Sequence, residues 1–293
     1  MRPALRVLLP ALAALLTACP VPPRLHPRAA EEVSRGFDYL GAGDPERAEV
    51  AFRHALEFDP DFPEGENGLG LVARTRSDFA AARRAFERAI SLRPDFAEAH
   101  ANLGELLLAQ GHSAEAEERL RAALHIDPDL ADARQNLARA LLWKGLEPGA
   151  DRAAAFAAAK IELLHLLEAD PKRAAAHHDL GLLAYLSKEW PAAERSYRRA
   201  VELDPRSAEA QHGLCISLVQ LDRCGDAVRA CQACLGVRPG DPRCLQSLEA
   251  ANTCRRAQGQ AGEPAPVAAG PRGPATSPAQ PRPSRSPPGP GTR

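Results

Sequence analysis

Residues 69–104 read LGLVARTRSDFAAARRAFERAISLRPDFAEAHANLG, and this stretch contains one full period of a repeat. It opens with Leu69-Gly70, and the same dipeptide returns 34 residues later as Leu103-Gly104. Between them lie several large apolar residues, including Phe86, and a single proline, Pro94. The apolar residues recur at helical spacing and the proline cannot continue a helix, so the stretch predicts two helices and a turn.

The same columns recur along the chain. Six prolines separated by 34, 34, 43, 34 and 34 residues end the second helix of each repeat: Pro60, Pro94, Pro128, Pro171, Pro205 and Pro239. Twelve residues before each proline stands an alanine: Ala48, Ala82, Ala116, Ala159, Ala193 and Ala227. Eight residues before each stands a larger side chain: Phe52, Phe86, Leu120, Leu163, Tyr197 and Cys231. The small side chains at the glycine and alanine positions let the paired helices approach closely. The larger side chain at the third position fills the space between those helices.

This pattern resembles the tetratricopeptide repeat (TPR) family, whose unit is a helix-turn-helix of 34 residues. The resemblance implies an all-α fold, a right-handed superhelical solenoid of six repeats and a C-terminal capping helix, over residues 29–258. A single unit cannot bury its apolar face, whereas six stacked units can. The amphipathic stretch from Pro242 to about Gln258 is expected to be the cap.

The fourth repeat carries nine extra residues, which we assign to an insertion at about residues 143–154. Gly and Pro in WKGLEPGADRAA predict a longer turn, and Ala150 to Ala169 is expected to form an unusually long second helix. Two interpretations remain open. The insertion is either a tolerated surface loop, or it alters the curvature and forms part of a partner site.

The N-terminus has the features of a signal peptide at residues 1–18, with two arginines followed by an apolar run. Leu16-Thr17-Ala18-Cys19 resembles the lipobox of bacterial lipoproteins, which implies cleavage before Cys19 and diacylation of its thiol. Pro20 follows instead of the aspartate that retains some lipoproteins at the inner membrane, so the outer membrane is expected, with the repeats facing the periplasm. Residues 19–28 would be a short tether. The alternative is an ordinary secretory signal with a chance cysteine.

Residues 259–293 are rich in Pro, Gly, Ala, Ser and Arg and are predicted to be a disordered tail, because they contain too few apolar residues to form a core. The tail is expected to be an inert extension or, alternatively, to touch anionic envelope polymers.

Six cysteines remain besides Cys19, and an even number outside the cytoplasm predicts disulfides. Facing residues of antiparallel helices are equally far from the turn between them. Around residue 239 this rule pairs Cys234 with Cys244 and Cys224 with Cys254, and around residue 223 it pairs Cys215 with Cys231. The alternatives are a zinc site, which lacks a second CxxC pair, and a redox site, although Cys231 and Cys234 are expected in mid-helix.

The sequence predicts no enzyme, cofactor or metal site. It contains no nucleophile motif, phosphate-binding glycine loop or HExxH, and the acidic residues Glu64, Glu98, Asp132 and Glu209 at the start of first helices are explained by the helix dipole. Lys+Arg number 37 and Asp+Glu 38, so there is no basic surplus for nucleic acid. No small-molecule substrate is expected.

The family resemblance instead implies a protein partner in the concave groove, which repeat positions 2, 5, 9, 12 and 13 face. The apolar residues at those positions are Phe37, Leu40, Leu71, Leu108, Leu142, Trp143, Leu182, Tyr185, Leu186, Ile216 and Val219. They predict an apolar groove suited to an amphipathic or hydrophobic segment, although some of them could serve only to pack helices.

A lipoprotein signal followed by six TPR units resembles the pilotin lipoproteins of type IV pilus systems, including those of social gliding bacteria. That resemblance implies a tethered chaperone that promotes secretin assembly in the outer membrane. The alternatives are a periplasmic adaptor that recruits peptidoglycan enzymes or motility components, and a periplasmic redox or metal protein.

Overall fold

The computed structural model describes residues 26–261, and this part of the chain consists of thirteen α-helices without a strand. The helices are α1 (Pro27–Gly41), α2 (Pro45–Phe58), α3 (Pro63–Thr75), α4 (Phe79–Leu92), α5 (Ala97–Ala109), α6 (Ser113–Ile126), α7 (Ala131–Lys144), α8 (Arg152–Ala169), α9 (Ala174–Leu186), α10 (Trp190–Leu203), α11 (Ala208–Gln220), α12 (Cys224–Val237) and α13 (Pro242–Ala261). The residues predicted to form the signal peptide, Cys19, the predicted tether as far as residue 25 and the predicted tail from residue 262 lie outside the described residues.

Helix α1 begins at Pro27, within the stretch expected to be tether, and α13 runs to Ala261, past the expected end of the cap near Gln258. None of the helices between residues 26 and 261 is both long enough and apolar enough to cross a bilayer.

The turns between repeats are built on the aspartate that precedes most of the repeat prolines. Asp127 Oδ1 accepts a hydrogen bond from the backbone N–H of Asp129 over 3.0 Å, and Asp170 and Asp204 bind the N–H two residues ahead in the same way. These Asx turns reverse the chain while the proline prevents the helix from continuing. The proline therefore determines where the second helix of a repeat ends, since α4 and α12 end at the same repeat position before Arg93-Pro94 and Arg238-Pro239.

The turns inside the repeats each contain a residue with positive φ. In the uninterrupted repeats these residues are Gly43, Ser77, Gly111, Lys188 and Asp222, all at the same repeat position. Only two of the five are glycine, so three turns hold a side chain in the left-handed region that favours glycine.

In the first and fifth repeats, the large residue of the second helix packs against glycines of two first helices. A Cβ added to Gly36 would lie 2.5 Å from the Phe52 ring, and one added to Gly68 would lie 2.4 Å from the same ring. Tyr197 is enclosed in the same way by Gly181 and Gly213. One aromatic side chain therefore joins consecutive repeats and requires glycine on both sides.

The insertion of the fourth repeat is distributed over three elements. Compared with the third repeat, α7 has one extra residue, the turn after it has four extra, and α8 has four extra. Helix α8 begins at Arg152, two residues after the expected start at Ala150. The insertion therefore lengthens both the turn and the second helix.

A ladder of ion pairs on the second helices was not predicted. Glu49, Glu117 and Glu194 occupy the same position of repeats one, three and five, three residues before the large apolar residue. Each pairs with an arginine four residues later on its own helix: Arg53, Arg121 and Arg198. Each also pairs with a cation of the following repeat: Arg76, Lys144 and Arg223. These carboxylates therefore connect neighbouring repeats.

Candidate functional site

The contacts between helices show which face of the solenoid is concave. The backbones of successive first helices come close together, as those of α1 and α3 and of α9 and α11 do, whereas the backbones of successive second helices in residues 26–261 do not. Between second helices, the long side chains of Arg83 on α4 and Glu115 on α6 bridge the wider gap. Helices on the inner side of a curved stack are closer together than those on the outer side. The odd-numbered helices therefore line the groove, as the family resemblance implies.

The structure places ten of the eleven predicted groove residues at least partly in contact with solvent. Phe37 and Trp143 are exposed, at 39% and 45% of their surface. The half-buried residues are Leu40, Leu71, Leu108, Leu182, Tyr185, Leu186, Ile216 and Val219. All of these except Ile216 also pack against the buried clusters between the repeats. Most of the predicted groove residues therefore hold the stack together and present only part of their surface to a partner.

Leu142 is a correction to the predicted groove. Its side chain is completely buried, in the same cluster as Phe156 of α8 and beside Leu146 of the inserted turn. The insertion provides Leu146, whereas Phe156 has the regular repeat position of Phe79 and Trp190. This residue belongs to the core and offers no surface to a partner.

Two polar contacts interrupt the apolar lining of the groove, which is a second correction. The guanidinium of Arg74 on α3 pairs with the carboxylate of Glu105 on α5. Further along, Arg139 on α7 donates from Nε to Asp179 Oδ2 on α9 over 2.8 Å. The groove is therefore divided into apolar sections separated by charged side chains, and it is not apolar throughout.

Asp179 is the centre of a buried polar cluster. Only 1% of its surface is exposed, and it also accepts a hydrogen bond from Gln135 Nε2 over 2.9 Å and one from His178 Nδ1 over 3.0 Å. Gln135 in turn accepts from Arg173 Nε over 2.9 Å. A buried carboxylate is stable only when it is paired and hydrogen-bonded, and this cluster meets that requirement while it joins α7 to α9.

The acidic residues at the start of the first helices have partners besides the helix dipole. Glu64 pairs with Arg93 at 2.7 Å, Asp132 with Arg173, and Glu209 with Arg238 at 2.5 Å. These pairs help explain the acidic column without a ligand, because each links the start of a first helix to a turn between repeats.

Two of the three aromatic groove residues, Trp143 and Tyr185, lie in the fourth and fifth repeats. The rings of Tyr185 and Trp190 lie 5.1 Å apart at an angle of 60°. One repeat earlier, Trp143 lines an open pocket of about 490 Å³ together with Leu108, Leu146 and Pro148. The inserted turn contributes two of these side chains, so the insertion adds to the surface next to the groove.

The six described cysteines form three disulfides: Cys215–Cys231, Cys224–Cys254 and Cys234–Cys244. These are the pairs that the helix register predicts, and their Cα atoms are 5.3, 5.6 and 6.1 Å apart. The two cysteines of the CxxC motif bind different partners, so the motif is not a redox dithiol in this state. Residues 26–261 hold no group of side chains that could bind a metal ion.

Comparison with known families identifies the repeats. Models of the tetratricopeptide repeat match residues 73–129 and 174–207. No curated protein sequence matches the chain. The match and the thirteen helices together show a TPR solenoid, a type of scaffold that generally binds proteins and is generally not an enzyme.

Solved structures with the same architecture include two pilus-related proteins. PilF of Pseudomonas aeruginosa is 20% identical, with a TM-score of 0.63 over 75% of this chain and 96% of its own. PilW, described as a widely conserved type IV pilus biogenesis factor, is 18% identical, with a TM-score of 0.65 over 75% of this chain and 98% of its own.

A protein of different biology is equally similar in fold. The Cut9–Hcn1 hetero-tetramer of the APC/C is 18% identical, with a TM-score of 0.65 over 77% of this chain but only 43% of its own. At these identities the similarity shows the fold, and the fold alone does not select one partner.

Proposed function

We propose that this chain is an outer-membrane lipoprotein that binds subunits of a type IV pilus secretin in its concave groove and promotes their assembly. The observation that carries the proposal is the similarity to PilW, a type IV pilus biogenesis factor, because this chain covers 98% of that protein. The lipobox-like sequence at Leu16–Cys19 supports the same class of protein.

The proposed anchor would keep the groove close to the membrane. Cys19 and His26 are separated by seven peptide units, which span at most about 25 Å when extended. Acyl chains on Cys19 would hold the first repeat within this distance of the leaflet, since each buried methylene contributes about 0.8 kcal/mol. A subunit held in the groove would therefore be positioned where a secretin inserts.

The groove would act by covering an apolar segment of the unassembled subunit. Trp143, Tyr185 and Ile216 offer apolar surface in three consecutive repeats. An amphipathic segment would place its apolar side chains on this surface, and its polar groups would face the charged pairs that interrupt the groove. Covering such a segment would reduce aggregation before assembly.

Heat-stable secretin multimers in the envelope measure this function. Deleting the gene should reduce them, and a Cys19→Ser variant, which lacks the acylated thiol, should restore them less well than the wild type. A control variant, Ser34→Ala on α1, should restore them fully, since it changes an exposed residue and leaves the anchor intact. Multimers that are unchanged by the deletion would contradict the proposal. If the chain then cross-links to peptidoglycan enzymes or motility components, the adaptor function is the correct one.

A further inference from the structure

The inserted turn of the fourth repeat forms one wall of an open pocket at the edge of the groove. The pocket has a volume of about 490 Å³, and Leu108 at the end of α5 and Trp143 at the end of α7 line it. Leu146, Glu147 and Pro148 of the inserted turn complete the lining. The turns inside the other five repeats are four residues shorter, so those repeats have no equivalent of this wall.

Backbone hydrogen bonds fix the inserted turn against α7. The N–H of Leu146 donates to the carbonyl of Trp143 over 3.0 Å. The N–H of Glu147 donates to the carbonyl of Lys144 over 3.1 Å, and the carbonyl of Glu147 accepts from the N–H of Ala150 over 3.2 Å. The backbone of Glu147 is therefore held just beyond Trp143 before a ligand arrives, which reduces the entropy that binding must overcome.

Trp143 is the aromatic side chain of this pocket. It is 45% exposed, and no aromatic ring, arginine or lysine within residues 26–261 stacks on its indole. The other repeats have no aromatic residue at the equivalent position, which holds Gly41, Thr75, Ala109, Leu186 and Gln220. The face of an indole attracts a cation, and here that face has no partner in the described part of the chain.

Glu147 is the only charged residue that lines the pocket. Its side chain is exposed and forms no ion pair within residues 26–261, because the neighbouring Lys144 pairs with Glu117 instead. Ser113, which is only 4% exposed, also lines the pocket, and its hydroxyl oxygen can accept a hydrogen bond. The pocket therefore combines apolar walls with an aromatic face and an uncompensated negative charge.

An arginine side chain matches all of these features at once. Its methylene stem packs on apolar side chains while the charged head remains accessible to water. The planar guanidinium stacks on an aromatic face and donates two parallel hydrogen bonds to a carboxylate. Lysine carries a compact, strongly hydrated charge that cannot make this bidentate contact, and an aromatic side chain would leave Glu147 without a partner.

We propose that this pocket binds an arginine side chain of the protein partner. The stem lies against Leu108 and Leu146, and the guanidinium stacks on Trp143 and pairs with Glu147. This inference rests on the proposed binding of a protein in the groove, and it adds that the bound segment contains an arginine. The insertion is then part of a partner site, which is the second of the two interpretations that its sequence left open.

Fluorine NMR of the purified full chain labelled with 5-fluorotryptophan tests the contact, because Trp143 and Trp190 are its only tryptophans and Trp190→Phe assigns their two resonances. The probe is the peptide acetyl-Ala-Arg-Ala-amide. It should shift the Trp143 resonance and leave that of Trp190 in place. The matched peptide contains citrulline, which keeps the shape of arginine and removes its charge, and it should bind about tenfold more weakly.

Glu147→Gln tests the carboxylate in the same titration. It should raise the dissociation constant of the arginine peptide about threefold. Glu189→Gln is the matched control, since Glu189 is an exposed carboxylate beside the other tryptophan, and it should leave the constant unchanged.

Three results would overturn the proposal: equal binding of the citrulline peptide or of a phenylalanine peptide, an equal loss of affinity in both variants, or a Trp143 resonance that about 20 mM arginine peptide does not move. The titration uses purified protein, so its failure is distinct from a failure of the proposed function, which the secretin multimers in cells report.

Discussion

Lys144 Nζ, at the end of α7, donates to Glu117 Oε2 on the preceding helix over 2.7 Å. Glu117 is 4% exposed, and its other oxygen pairs with Arg121 on its own helix. The same arrangement occurs at Glu194 and at the half-buried Glu49, so alternate repeats are linked to the next repeat by a carboxylate between two cations.

We expect Glu117→Ala to lower the free energy of unfolding by about 1–2 kcal/mol. Breaking a buried ion pair usually costs more, but the two cations left behind are half exposed and regain water. Urea denaturation followed by circular dichroism measures the change. Glu118→Ala, next to it on the exposed side of the helix, is the control and should change stability by less than about 0.5 kcal/mol. Equal losses in the two variants would show that the carboxylate does not fasten the repeats.

Gly213→Ala should destabilise the fold by about 1–3 kcal/mol because the cavity around Tyr197 has no space for another methyl group. The added Cβ would lie 2.3 Å from the tyrosine ring. Gly236→Ala, in α12, meets nothing within 4 Å and should instead stabilise the helix by about 0.5–1 kcal/mol. Thermal unfolding of both variants gives the comparison, and a stable Gly213→Ala variant would contradict the packing described for Tyr197.

Removing the disulfide Cys224–Cys254 by replacing both cysteines with alanine should loosen α13. This bridge closes a loop of 30 residues, compared with 10 for Cys234–Cys244. A longer loop loses more entropy when it is closed, so the longer bridge should contribute about 3–4 kcal/mol and the shorter one about 1 kcal/mol less. Hydrogen exchange across residues 242–258 should accelerate more in the first double variant than in the second. The opposite order would contradict this account of the C-terminal cap.

Stability should fall on acidification because of His212. Burial, with help from Arg243 and against an opposing effect of Asp241, lowers the pKa of His212 below its usual 6.5. Below pH 6.5 the unfolded chain binds a proton that the folded chain resists, so the free energy of unfolding decreases as the pH falls further. His212→Gln should remove part of this decrease between pH 7 and pH 5, measured by urea denaturation. His54→Gln, at an exposed position, should leave the slope unchanged, and an equal change in both variants would contradict the assignment.

The helical pairs could be predicted from the sequence, because each residue type that recurs in the repeat has a local physical role. Asp-Pro ends a helix at residues such as Asp127-Pro128, and Gly181 and Gly213 allow the close approach that Tyr197 requires. The disulfide pairs could also be predicted, since an antiparallel register follows from the turn positions alone.

The details of the groove could not be predicted in the same way. Leu142 has the sequence position of a groove residue, but its exposure depends on the side chains packed in its cluster, among them Leu146, which the insertion adds from outside the repeat frame. Asp179 occupies the repeat position that holds Gly68 and Gly213 in other repeats, so the sequence gives no sign of a polar cluster there. Its hydrogen bonds are to Arg139 and Gln135, about 40 residues earlier in the chain. Comparing charges at equivalent positions could have revealed the ladder of Glu49, Glu117 and Glu194.

The central claim is that the concave groove holds the protein partner, and secretin multimers measured in cells that carry Ile216→Gln test it most directly. Ile216 lines the groove, while Ile161, 53% exposed on the outer side of α8, provides the matched Ile161→Gln control. With both variants present at wild-type levels, we expect Ile216→Gln to reduce the heat-stable multimers and Ile161→Gln to leave them unchanged. Normal multimer levels with Ile216→Gln, or an equal reduction with both, would contradict the account.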